Sequence, residues 1–205
     1  MIYVIGTVAR TGSSMMMRAI EGSSDLVPVR GVGKEVPRHE GHDPDYDPNP
    51  NGYYEPDWTE IEYGDEGTTW AQNYEGRLLK LRPHGLLRLR PGAWRVCLML
   101  RDPEEIRVSH RRAFGTHVSE GDLLDLRMCE GVLSARSDVD LMVFNYADVV
   151  ASPQAAFTAL ALHGWPINPL VAATFVDPTL YRNRTSLATS CTATTRRRIP
   201  NRWGA

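Results

Sequence analysis

The chain has only three cysteines in 205 residues, an odd number too small to build a disulfide framework, and Cys97 falls inside an apolar run that reads as a buried strand. No apolar run approaches the ~20 residues needed to cross a bilayer, so no membrane-spanning helix is expected. An excess of positive charge is also missing. The 23 Lys and Arg stand against 25 Asp and Glu for a formal net charge of −2, which argues against general affinity for nucleic acid or a membrane surface. No leader precedes the first strand, so a cytoplasmic protein without a signal peptide is expected. No internal repeat is present. What remains is ordinary: 42% hydrophobic and 23% charged residues, and a length that buries one sizeable core. The expectation is a single domain over residues 1–205.

Charge is unevenly spread within that domain. From Glu35 to Glu66 acids are frequent and Arg38 is the sole Lys or Arg, among several prolines and glycines, which reads as an irregular acidic insertion over about 35–70. It is a solvated loop or a lid facing a ligand. After Asp177 there are no acids, and Arg182, Arg184, Arg196, Arg197, Arg198 and Arg202 make a basic tail over about 182–205. That tail is a frayed end, or it brings Arg182 or Arg184 onto an anion.

The most informative stretch is VIGTVARTGSSMMM, Val4 to Met17. Ile2 to Ile5 read as a strand, Gly6 and Gly12 punctuate a loop, and Ser13 and Ser14 open a helix. A helix start has backbone N–H groups without intrahelical partners and the positive end of the peptide dipoles, so phosphate or sulfate binds there readily. Gly12 lets the backbone approach the anion, Ser13 and Ser14 add hydroxyls, and Arg10 adds a planar cation. The loop departs from the nucleotide-kinase pattern. Five residues rather than four separate its glycines, and Ser13 stands where Lys is required.

A second anion site is expected near Arg101. RVCLML, Arg95 to Leu100, reads as a buried strand, and Asp102, Pro103 and Glu105 supply an N-cap, a first-turn proline and an N3 acid for the next helix. Arg101 then sits at a strand's carboxyl end, with Ser109 roughly 10 Å along the helix. A guanidinium reaching inward can meet that hydroxyl over one anion. In a parallel α/β sheet both sites share one rim.

The order expected is strand 2–6, helix 13–21, an irregular segment, strands 78–82 and 95–100, helices 103–114 and 119–135, strand 139–144, helix 153–163 and a helical turn near 169–175. Strands separated by helices favour four or so parallel strands with helices on both faces, a three-layer α/β/α arrangement. The cluster His39, His42, Asp43, Asp45 and Asp47 fits no metal template. The histidines are three apart in a loop, and calcium-loop positions six and twelve hold Pro48 and Tyr54. No metal is expected.

Taken in order, these residues resemble the PAPS-dependent sulfotransferases, bacterial and phage branch. Ala9 to Ser14, ARTGSS, is similar to that family's 5′-phosphosulfate loop, with Ala9 at a usual Pro. Arg101 and Ser109 match the spacing of its 3′-phosphate motif. NPNGYYE (Asn49 to Glu55), FNYADVVASP (Phe144 to Pro153) and DPTLYRNR (Asp177 to Arg184) look like further segments of it. The resemblance implies a P-loop NTPase-like sulfotransferase fold, and PAPS as donor with PAP as product and no metal. The acceptor would be a hydroxyl or amine on a small molecule, glycan or peptide. It implies that Arg10 stabilises the bridging oxygen, that Arg10, Thr11, Gly12, Ser13 and Ser14 hold the phosphosulfate, and that Arg101 and Ser109 hold the 3′ phosphate; the basic tail would bring Arg182 or Arg184 onto a phosphate of that cofactor. Aligning Lys80 with the Lys of the family's Lys-Thr-His triplet puts Leu81 and Arg82 at the next two positions, and Arg82 cannot act as a base at neutral pH. His84 ranks first as general base, followed by His110, His117 and Glu55. Alternatives from other classes are an ATP-dependent P-loop kinase and a non-catalytic nucleotide-binding or interaction protein of the same fold.

Overall fold

The structure, a computed structural model, describes residues 1–30, 39–47, 54 and 74–184. Five parallel strands form one sheet in the order β2-β3-β1-β4-β5: β1 Ile2–Gly6, β2 Val27–Pro28, β3 Arg77–Leu81, β4 Trp94–Leu100 and β5 Val139–Asn145. Seven helices are described: α1 Ser13–Glu21, α2 Pro83–Leu87, α3 Pro103–Phe114, α4 Glu120–Ser134, α5 Tyr146–Ala151, α6 Pro153–Leu162 and α7 Pro169–Ala173. The expected four or so strands become five because the short edge strand β2, ending in a proline, gives no periodic signal.

Alternation along the strands divides the core in two. Tyr3 and Ile5 of β1, Leu78 of β3 and Cys97 and Met99 of β4 pack with α1, α5, α6 and α7. Their neighbours Ile2, Val4, Leu79, Leu81, Val96 and Leu98 pack with residues of α2, α3 and α4. Central strands buried on both faces explain why their sequences run almost continuously apolar. Lys80 breaks the run. It is 3% exposed and shares Leu78's parity, on the side of α1.

Part of the acidic segment is docked rather than solvated. His39 N donates to Phe114 O (2.9 Å) and Asp43 N to Arg112 O (2.8 Å), so residues 39–47 satisfy carbonyls at the end of α3 that have no partner inside the helix. Gly115 makes this possible. Its φ is +74°, and a Cβ there would lie 2.6 Å from Glu40 O. Tyr46 then packs on Ala113 and Phe114 in a small core of its own. Farther along, Tyr54 donates to Glu21 Oε2 on α1 at 2.6 Å.

Candidate anion-binding cleft

The strand order fixes where a ligand fits. From β1 the chain leaves toward β2 and β3, and from β4 it leaves toward β5, so the connections diverge at the carboxyl ends of β1 and β4. Such a divergence opens a crevice, which is where open α/β sheets bind ligands. A cleft of about 750 Å³, including its open mouth, lies there, lined by the β1–α1 loop, Tyr46, Arg101, Tyr146 and residues between 175 and 182.

The loop side is built by two unusual backbone conformations. Gly12 caps α1 at φ +90°, and a Cβ there would approach Tyr146 Cδ2 to 2.2 Å, so both conformation and space demand glycine. Arg10 has φ +74°, the left-handed region that costs a non-glycine residue strain. Arg101 Nη1 donates to Arg10 O at 2.9 Å and helps hold that turn. The first intrahelical bond of α1 runs from Met16 N to Gly12 O, so the N–H groups of Ser13, Ser14 and Met15 precede the ladder at the cleft wall. Lys80, one of two lysines in the chain, comes from β3 beneath this turn, with Nζ 3.4 Å from Ser14 Oγ. Sequence reasoning aligned Lys80 but gave it no role in the loop. Its signal was a lone lysine in an apolar strand.

Arg101 and Ser109 do not meet over a common space. Arg101 Nε bonds Glu105 Oε2 at 2.9 Å, with side chains 6% and 1% exposed, and its guanidinium lies 4.8 Å from the Tyr146 ring and 5.2 Å from that of Tyr181. Tyr181 donates to the other Glu105 oxygen at 3.0 Å. Burial, reinforced by that carboxylate, pushes the Tyr181 phenol up to about 12. Asp102 caps α3, accepting from Glu104 N and Glu105 N.

Ser109 is met by Arg10 instead. Arg10 Nε donates to Ser109 Oγ at 3.0 Å and Nη2 to Tyr46 Oη at 3.2 Å, while Tyr46 and Ser109 share a hydrogen bond of 3.1 Å. Asn183 Nδ2 donates to the same phenol at 3.1 Å. Ser109 is fully buried and does not line the cleft, whereas Arg10 and Tyr46 do. Burial resists ionisation of Tyr46, but the charge of Arg10 and bonds from Ser109, Arg10 and Asn183 outweigh it and hold the phenol below its ordinary pKa.

The other expected site residues divide. Gly12, Ser13, Ser14 and Arg182 line the cleft. Thr11 does not: it is buried, donates to Val8 O at 3.0 Å and bonds the Thr7 hydroxyl, bracing the loop from within. Arg184 stacks 4.6 Å from Tyr181, away from the cleft wall. His84 lies in the first turn of α2 and, among the described residues, no histidine lines the cleft. His110 is half-buried against Phe114 with Nδ1 3.0 Å from Thr116 O, and burial lowers its pKa; His117 is exposed. Glu55 and Cys191 lie outside the described residues. Among the described residues no cluster of His, Cys, Asp and Glu suits a metal ion, and no helix is long and apolar enough to cross a membrane.

Arg10, Arg18, Arg101 and Arg182 line the cleft against one acid, Asp177, whose carboxylate accepts from Thr179 N and Oγ1. Among the described residues only Arg101 of these four cations has a carboxylate partner. The cleft is therefore suited to a ligand carrying more than one negative group. Comparison with protein-family models, curated proteins and solved structures finds no match for the chain.

Proposed function

We propose that the chain is a sulfotransferase-like enzyme that binds PAPS and passes its sulfuryl group to a hydroxyl or amine acceptor. The observation that carries the reading is the meeting of Arg10, Arg101 and Arg182, from three distant segments, beside the start of α1 at one topological switch point. The residues fit the donor: Gly12, Ser13 and Ser14 line the cleft at the start of α1, and Arg10 and Arg182 have no carboxylate partner among the described residues. PAPS would supply an activated sulfuryl group and depart as PAP.

In that reaction the acceptor oxygen or nitrogen bonds to sulfur, loses its proton, and the bond from sulfur to the 5′-phosphate oxygen breaks. Negative charge grows on the departing oxygen. The N–H groups of Ser13, Ser14 and Met15, the Ser14 hydroxyl and Lys80 form the positive end that would hold that charge. Catalysis of this kind depends on positioning and electrostatics, as phosphoryl transfer does. The resemblance implies His84 as the base that takes the proton, although His84 does not line the cleft.

Two observations favour other readings. Lys80 beside Ser14 supplies the lysine that a nucleoside-triphosphate loop uses, which suits an ATP-dependent kinase. The cleft wall described here contains no histidine, which suits a nucleotide-binding protein without turnover. Calorimetric titration with PAP, ADP and ATP plus magnesium at one salt concentration separates them. Preference for PAP supports the sulfotransferase reading. Preference for ATP with magnesium supports the kinase, and binding of none overturns the donor assignment.

A further inference from the structure

Behind the cleft, two buried hydroxyls carry one more hydrogen than they have acceptors. Tyr46 is 3% and Ser109 0% exposed. Three donors already point at them, Arg10 Nε, Arg10 Nη2 and Asn183 Nδ2, and one hydroxyl donates to the other. Whichever donates, the remaining hydroxyl hydrogen has no acceptor among the described residues, and buried donors rarely go without one. The surroundings are also positive. Guanidinium groups lie 4.3 Å (Arg182), 4.6 Å (Arg112) and 5.8 Å (Arg10) from the centre of the Tyr46 ring, and among the described residues only Arg112 of these faces a carboxylate, that of Asp43.

An oxyanion would satisfy both surpluses. Tyr46 lines the cleft and Ser109 does not, so the phenol is the hydroxyl that can reach it. With Ser109 and Asn183 donating to the phenol oxygen, its hydrogen is turned outward. Arg10 Nη2, at 3.2 Å the longest of the four contacts, is the group an entering anion would draw away.

We infer that Tyr46 reads the second phosphate of the nucleotide: its phenol donates to that phosphate, Arg10 and Arg182 complete the cradle, and Ser109 acts behind it as a positioning residue. The inference rests on the bisphosphate reading above, and makes a tyrosine of the docked acidic segment the residue that separates a nucleoside 3′,5′-bisphosphate from a 5′-monophosphate. The depressed pKa of Tyr46 is in keeping with an environment that favours negative charge at this spot.

The test is titration of the wild type, Tyr46→Phe and Ser109→Ala with PAP and with adenosine 5′-monophosphate at equal salt, with thermal unfolding of each variant. The wild type prefers PAP; Tyr46→Phe weakens PAP by roughly tenfold or more, the scale of a hydrogen bond to a charged group, and leaves the monophosphate within about twofold. Ser109→Ala gives a smaller loss of the same selectivity. Should Tyr46→Phe unfold at the assay temperature, Ser109→Ala carries the same comparison. Unchanged or tighter PAP binding by Tyr46→Phe, or equal weakening of both ligands, overturns the role of Tyr46 alone. A wild type that does not prefer PAP over the monophosphate overturns the cleft reading and this inference with it.

Discussion

Arg10 and Arg101 stand at the ends of adjacent strands and line the same cleft, yet their surroundings differ in kind. Arg101 is paired with Glu105, bracketed by Tyr146 and Tyr181, and bonded to the backbone of Arg10. Its charge is matched inside the protein. Arg10 rests on two neutral hydroxyls, those of Ser109 and Tyr46. The difference separates two kinds of arginine on one rim: one neutralised by a carboxylate and bonded to the turn, the other held, among the described residues, by neutral hydroxyls.

The largest expected effect comes from removing the matched arginine. Arg101→Ala leaves the buried Glu105 carboxylate without its arginine and should cost about 3–5 kcal/mol in denaturant unfolding, whereas Arg10→Ala, losing hydrogen bonds to neutral groups, should cost about 1 kcal/mol. Adding Glu105→Leu to Arg101→Met should recover most of the loss. Equal destabilisation by the two alanine variants would erase the contrast.

Gly12→Ala joins the two sides, because its methyl would strike Tyr146, the ring that brackets Arg101. Overpacking predicts a loss of about 1–3 kcal/mol, with further strain from the left-handed backbone. Tyr146→Ala in the same chain should relieve the clash but not that strain. Ligand binding should then separate the two tail arginines. Arg182→Ala should weaken PAP several-fold and Arg184→Ala should not, since only Arg182 lines the cleft.

A smaller effect distinguishes the two tyrosines at alkaline pH. Tyr181, pushed up to about 12, favours folding in its neutral form, so its contribution is complete below pH ~10 and is lost as pH rises toward 12. Tyr46, held below the ordinary value, acts in the opposite sense and adds stability as pH rises through its folded pKa toward 10. In unfolding curves collected between pH 8 and about 12, Tyr181→Phe should soften the alkaline loss and Tyr46→Phe should steepen it. Identical profiles would refute the assignment of opposite environments.

Much of this frame is legible in the sequence, for reasons that stop at identifiable points. Apolar runs reveal β1, β3, β4 and β5, and the Asp102 cap and Pro103 mark the start of α3. The five-residue α2 and six-residue α5 are too short for a helical period, and α5 is announced only by the Asn145 cap, whose side chain accepts from Ala147 N. Loop chemistry and spacing also pick out Arg10, Gly12, Ser13, Ser14 and Arg101, all of which line the cleft, while the basic tail offers Arg182 and Arg184 without separating them. Spacing pairs Ser109 with the wrong arginine, because position along one helix says nothing about which loop folds over it. Tyr46 is hidden for the same reason: its role comes from residues 39–47 capping α3, a long-range contact set by Gly115 inside a stretch whose composition suggests a solvated loop.

The most direct test is the affinity of Arg10→Ala for PAP beside that of the wild type, measured calorimetrically at fixed salt on protein shown to be folded. The account predicts a loss of roughly tenfold or more with little change in stability, since removing Arg10 takes away a charged donor that no carboxylate among the described residues engages. Undiminished affinity would contradict it, and would return Arg10 to the role of a loop-bracing residue.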